Sequence, residues 1–349
     1  MSTRHLAVRT RAFSLRVEAR VLGALAVLAM LTLVVFVLEV GSGEYPISPL
    51  EIVRTLVGAG DDATEFIVLD LRLPRALTAL LAGIALGVAG AIFQDLARNP
   101  LVSPDIIGVS SGASLAAIAV IVFGNTSGAM TVPLAALVGA LLTGFLLYTL
   151  AWRDGVQGYR LVLVGIGVAA LMQAGISYVL TRGQLFEVQQ AYIWLVGSLN
   201  GRGWEHVWPL VVAVVVLVPL GAVLARSLAA LQLGDDLARA LGVRVEPLRL
   251  GLVAVAVALT GLAVSSVGPI AFVAFVAPHV ARRIGGSVAP AAVLPLAGAF
   301  GGFLILAADL AGRELFPPTE IPVGIITAIV AAPYFLYLLR RANRLGATG

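Results

Sequence analysis

Apolar residues dominate this chain in long runs separated by short polar stretches. A helix needs about 20 apolar residues to cross the hydrocarbon of a bilayer, and ten segments satisfy that pattern: Val21–Val40, Pro74–Phe93, Gly108–Gly124, Thr131–Trp152, Leu161–Leu180, His206–Leu224, Leu250–Val267, Ile270–Ile284, Ala289–Asp309 and Val323–Leu339. The eighth is short and contains Pro278. The pattern predicts an all-α integral membrane protein of about ten transmembrane helices in one domain, residues 21–340. A cytoplasmic arm (1–20), a cytoplasmic loop at about 227–249 and a tail (341–349) complete the expected layout.

Composition supports this reading. Of 349 residues, 60% are hydrophobic and 12% charged, against about 45–50% and about 25% in a soluble domain. So large an apolar excess cannot be hidden in one water-soluble core. The net charge of +4 does not indicate a nucleic-acid partner, because the arginines lie between apolar runs rather than in one patch. Their placement sets orientation. With the N-terminus inside and the sides alternating, 17 fall on the cytoplasmic side: Arg4, Arg9, Arg11, Arg16, Arg20, Arg98, Arg153, Arg160, Arg226, Arg239, Arg244, Arg249, Arg282, Arg283, Arg340, Arg341 and Arg344. Six fall outside: Arg54, Arg72, Arg75, Arg182, Arg202 and Arg313. An odd number of spans would mix the two sets, so the bias predicts both termini in the cytoplasm of a multi-pass inner-membrane protein. The basic arm followed by Val21–Leu38 imitates a signal peptide, but no small-residue cleavage site follows, so this run is expected to be a retained first helix.

Rows of small residues, such as Gly83, Gly87 and Gly90, Gly165 and Gly167, and Gly298, Gly301 and Gly302, predict close helix packing within the bundle. Carboxylates are nearly absent from the middle of the spans. Glu39, Asp95 and Asp309 fall at span ends, where interfacial solvation is expected, and Gln94 and Gln173 are candidates for hydrogen bonds between helices. A proton-coupled carrier normally needs buried carboxylates, so energy is expected to come from elsewhere. Nor does an enzyme show itself: there is no Ser/His/Asp set, paired carboxylate or Walker-type phosphate loop. The chain has no cysteine and three scattered histidines (His5, His206, His279), so no metal site or cofactor is expected in it. His279 and Arg283 read as an interfacial anchor at a helix C-terminus.

Four loops carry more pattern than a connector needs. Arg98–Gly108 holds two prolines, which are expected to fix an extended turn. Gly234–Pro247 offers Asp235 and Asp236 as caps of a short helix with Leu237, Ala240 and Leu241 apolar, suited to docking another protein. The segments LRLPR, with Arg72 and Arg75, and GRELFPPTEIPVG, with Arg313, place three arginines on the outer side. There they are expected to be exposed and to pair with carboxylates of a partner.

At these loops the sequence resembles the permease subunits of type II ATP-binding-cassette importers, the FecCD-like family, which carries ferric siderophores, heme and cobalamin. The resemblance rests on RLPRALTALLAGIALGVAGAIFQDLARNPLVSPDIIGVSSGASLAA (Arg72–Ala117), YIWLVGSLNG (Tyr192–Gly201), GDDLARALGV (Gly234–Val243), GPIAFVAFVAPHVAR (Gly268–Arg282) and EIPVGIITAIVAAPYFLYLL (Glu320–Leu339), in family order from about residue 45 onward. It implies the type II importer permease fold, ten helices per subunit and a homo- or heterodimer with a central path. It further implies separate ABC ATPase subunits, an extracytoplasmic substrate-binding protein and, as the commonest cargo, a ferric siderophore. By position, Arg72, Arg75 and Arg313 match arginines that meet the two lobes of the binding protein. Gly234, Asp235, Asp236, Leu237, Ala238, Arg239, Ala240, Leu241, Gly242 and Val243 match the helix coupled to the ATPase. Asn99 and Leu101 match one cytoplasmic gate, and Gly158 and Tyr159 another. Tyr159 is bulky where the cobalamin member has small hydroxyl residues, which disfavours cobalamin. Heme or cobalamin import within the same architecture, an ion-coupled secondary carrier and a polytopic membrane enzyme are the alternatives.

Overall fold

The computed structural model describes residues 5–10, 13–124, 128–153, 155, 157–286 and 289–346. Arg4, Arg11 and the last three tail residues, used above for orientation and layout, lie outside the described residues. A short antiparallel hairpin, β1 (His5–Thr10) with β2 (Phe13–Glu18), precedes the helices.

Each of the ten predicted segments lies on a helix. Among the described residues, seven helices are long and apolar enough to cross a membrane: α1 (Ala19–Gly41), α3 (Asp62–Ala97), α5 (Thr131–Ala151), α6 (Gly158–Leu180), α8 (Trp204–Gln232), α10 (Val245–Val267) and α12 (Pro290–Glu314). The other three predicted segments fall on α4 (Val109–Phe123), α11 (Val273–Gly285) and α13 (Val323–Gly346). Three further helices lie between spans: α2 (Pro49–Leu56), α7 (Leu185–Val196) and α9 (Asp235–Ala240). Capping explains two of them. At the start of α2, Ser48 Oγ accepts from the Glu51 amide and Glu51 Oε2 accepts from the Ser48 amide, a capping box with Pro49 at the first helical position. Before α7, Glu187 Oε2 accepts from the Gln184 amide at 2.8 Å.

Helix α3 is the hub. Its apolar stretch is 78% buried inside the subunit, against 11% for α1, and it packs on α8, α10, α11 and α12. The small-residue rows make this closeness possible. A Cβ on Gly83 would stand 2.2 Å from the Gly301 carbonyl oxygen, and one on Gly87 2.1 Å from that of Ala297. One on Gly90 would stand 1.8 Å from that of Ala274. Any larger residue at these points collides with backbone. The pairing runs antiparallel along α3 and α12 and continues to Arg75 against Asp309, so the glycine contacts set which charges meet at the helix ends.

Two predicted boundaries move. Helix α3 starts well before Pro74, passing through a π-helical stretch at Phe66–Arg72, so Arg72 sits within a helix rather than ahead of one. The segment Arg98–Gly108 is a succession of tight turns rather than one extended turn: Val102 donates to Asn99 O, and Ile106 and Ile107 to Ser103 O. It folds back against the bundle with Val102, Ser103 and Ile107 buried, because its apolar side chains gain more from the interior than an extended path would give them.

Candidate functional site

The chemistry-bearing side chains gather at the two ends of α3. Arg72, Arg75 and Arg313 come together at one end, but they are not the exposed residues the sequence suggested. Arg72 is 9% exposed; its Nη1 donates to Val40 O at 2.9 Å and its Nη2 to Tyr45 O at 2.7 Å. Arg75 grips Asp309 with two bonds, 2.7 and 3.0 Å, and reaches Glu320 at 3.1 Å. Arg313 donates to Glu39 Oε1 at 2.7 Å and to Ser42 O at 2.8 Å. Gly43 is wedged between the guanidiniums: a Cβ there would stand 2.8 Å from Arg72 Nη2 and 3.0 Å from Arg313 Nη2. For Arg75 and Arg313 the cause is the pair of carboxylates. Glu39 and Asp309 are 0% and 2% exposed, not solvated at an interface, and a buried carboxylate needs a paired cation. The arginines supply it. Arg72, Arg75 and Arg313, with Asp70, Arg202, Glu205 and Glu320, border a cavity of about 360 Å³. Beside it, about 620 Å³ opens between α4, α5 and α7, bordered by Gln190, Trp194, Ser198 and Asn200, with Arg202 on both walls. Burial pushes the Arg202 guanidinium down from its ordinary value.

The other end of α3 holds the predicted gate and coupling residues side by side. Arg98 caps α3 in the left-handed conformation (φ 50°), donates to Leu231 O, and lies 3.2 Å from Asp235 Oδ1. Arg249 Nη2 meets the same oxygen at 2.6 Å. Asp235 and Asp236 therefore do not cap α9. Gly234 (φ +114°) opens that helix with no side-chain cap, Asp235 turns inward to the arginines, and Asp236 pairs with Arg239 on the surface. Partial burial works to raise the Asp235 carboxyl, but the Arg249 hydrogen bond and charge outweigh it and hold it below the usual carboxylate range. Leu237, Ala240 and Leu241 stay exposed while Ala238 is buried. Gly158 packs on Ala97, where a Cβ would stand 2.8 Å from Ala97 Cα, and Tyr159 is 79% exposed. With Arg98, Asp235 and Arg249 these two residues border a cavity of about 410 Å³. Asn99 Oδ1 accepts from the Leu101 amide at 3.0 Å, shaping the turn between them.

The comparisons with known proteins fit this arrangement. Residues 31–341 match the model of the FecCD transport family. The chain belongs to that family. It is 40% identical to the probable siderophore transport system permease protein YfhA of Bacillus subtilis (strain 168), over 91% of this chain and 94% of that protein. It is 42% identical to the Fe(3+)-citrate import system permease protein YfmE of the same organism, over 93% and 97%. Among solved structures it superposes, with a TM-score of 0.79 and 28% identity, on an inward-facing ABC transporter assigned to the metal-chelate type, covering 91% of this chain and 99% of that one. The protein is a multi-pass permease subunit of an ABC transporter.

Two further features of the permease escaped the sequence reading. Asp95, expected at an interface, is 5% exposed and paired with Arg282 at 2.8 Å. Arg282 also donates to Gln94 Oε1 at 2.6 Å, and Gln94 Nε2 donates to Phe275 O at 3.0 Å. This network ties α3 to α11, so the partner that matters there is Arg282, not the exposed Arg283. The second is Arg249, a residue with no motif of its own that is 6% exposed and anchors Asp235. The signal available for each was a charge inside or beside an apolar run, which marks a buried pair without naming its partner.

Proposed function

We propose that this permease is the membrane-spanning subunit of an ATP-driven importer that passes a ferric siderophore into the cytoplasm. Both termini and the Arg98 end of α3 face the cytoplasm, and the Arg72 end faces outward. Separate ABC ATPase subunits supply the energy, a second permease subunit completes the path, and an extracytoplasmic binding protein delivers the cargo. Four kinds of support converge. The relatives named above are permeases for a siderophore and for Fe(3+)-citrate. The arginine bias favours this orientation. The chain carries no nucleotide-binding motif. The observation that carries the reading is α9: a short helix between spans whose Leu237, with Leu241 just past its end, stays exposed (49% and 62%) while its inward carboxylate is tied to the end of α3. An apolar patch on a helix outside the membrane suits a groove on an ATPase subunit.

In the proposed cycle the loaded binding protein docks on the rim of the cavity walled by Arg72, Arg75 and Arg313. Because these guanidiniums are already committed to Glu39, Asp309 and main-chain carbonyls, their first role is to hold the rim in shape, and the partner's carboxylates meet the edges that line the cavity. ATP binding and hydrolysis then shift α9, and the turn at Asn99–Leu101 and the start of α6 at Gly158–Tyr159 open the inner side. Specificity resides mainly in the binding protein. Uptake in a strain lacking the gene tests this, comparing iron-55 siderophores, heme and labelled cobalamin. Loss confined to one ferric siderophore class, restored by the gene, is expected. Loss of heme or cobalamin uptake alone would replace the cargo, and unchanged uptake of all three would contradict the reading.

A further inference from the structure

Asp235 does something a docking helix does not require. On a helix that leaves Leu237 and Ala240 exposed, its carboxylate points inward and one oxygen, Oδ1, serves two arginines from different elements: Arg98 at the end of α3, 3.2 Å away, and Arg249 on α10, 2.6 Å away. The two contacts differ. Arg249 is 8% exposed at its side chain and sits within a spanning helix, whereas Arg98 is 44% exposed and begins the turns that carry Asn99 and Leu101. Arg98 is also one of two non-glycine residues with a positive φ among the described residues. That conformation is unfavourable for an L-residue and persists where the surroundings over-determine it. Here the over-determination comes from its guanidinium, bound at once to the Leu231 carbonyl, in the last turn of α8, and to Asp235.

We infer that Arg98 and Asp235 are positioning residues that couple α9 to the Asn99–Leu101 turn, with Arg249 as the fixed anchor and the Arg98 contact as the element that moves. When α9 shifts, Asp235 carries Arg98 with it. The turn that follows Arg98 then moves without any direct contact between it and the ATPase. Charge-assisted bonds suit this role, because they are short and directional yet weaken when one partner is exposed to water. The inference rests on α9 being the ATPase-facing helix.

The test is transport per ATP hydrolysed by the complete importer in proteoliposomes, with an iron-55 siderophore as probe. Two variants separate side chain from backbone: Asp235→Asn keeps the shape and removes the charge, and Arg98→Gly keeps the left-handed backbone at no cost and removes the guanidinium. Each is expected to leave ATPase co-purification intact and to lower transport per ATP at least tenfold, with Asp235→Glu restoring most of it. An unchanged ratio in assembled complexes would overturn the inference. So would loss of co-purification in Asp235→Asn, since Asp235 would then be part of the docking surface itself. Failure of the unaltered permease to co-purify with its ATPase would instead overturn the reading of α9.

Discussion

The two ends of α3 use the same residue types for opposite purposes. At the Arg72 end, two carboxylates that are 0–2% exposed are clamped at 2.7 Å by arginines from spanning helices or their immediate ends. Asp309 there is held against Arg75 by two helices packed through glycine contacts. At the Arg98 end, a carboxylate that is 28% exposed bridges a loop, a six-residue helix and one span. The first arrangement is a lock: breaking it leaves a charge stranded in the interior. The second is a linkage, because water reaches one side of it and one of its partners, Arg98, begins a run of turns that can shift. Position in the bundle, not residue type, decides between them.

The comparison is broken most severely at the lock. Asp309→Ala leaves Arg75 with only the half-exposed Glu320 and is expected to cost about 3–5 kcal/mol, read as loss of purified protein or a steep fall in thermal midpoint in detergent. Gly83→Val, in the contact that brings Arg75 to Asp309, forces a side chain into the Gly301 backbone and is expected to cost about 3 kcal/mol by the same assay. The linkage responds to pH with a known sign. The folded-state pKa of Asp235 is depressed, so its contribution is present above the ordinary aspartate value of about 3.9 and is lost as pH falls through the folded value. Amide-exchange protection of α9 is therefore expected to hold from pH 7.5 to pH 5 and to drop below pH 4, and Asp235→Asn should remove that dependence. The smallest effect belongs to Asp236→Ala. Its partner is Arg239 and both are exposed, so the change is expected at about 0.5 kcal/mol or less.

How much of this was legible beforehand follows from what each feature depends on. The ten helical segments were readable because lipid demands an uninterrupted apolar run, and the glycine rows predicted close packing, met where Gly83 and Gly87 face α12 and not at Gly167, but named no partner helix. The early start of α3 was not: Asp62, Glu65 and Asp70 read as loop, yet they lie in its first turns. Helix α7 was missed because Glu187, Gln189 and Gln190 interrupt its apolar residues. The ion pairs were out of reach, since Arg75 and Asp309 are 234 positions apart and a single sequence offers candidates for pairing but no partners. The same blindness made the three arginines look exposed. Their charge was visible, whereas Asp309 and Glu39, which pair with Arg75 and Arg313, looked like unrelated interfacial residues.

Reconstitution in proteoliposomes tests the central claim most directly. The permease, its ATPase and its binding protein are combined, and iron-55 siderophore accumulation is followed with and without ATP and with and without ion gradients. The account predicts accumulation that requires ATP, the ATPase and the binding protein, and that is indifferent to proton or sodium gradients. Uptake driven by an ion gradient with no ATPase present would contradict it and make the protein a secondary carrier.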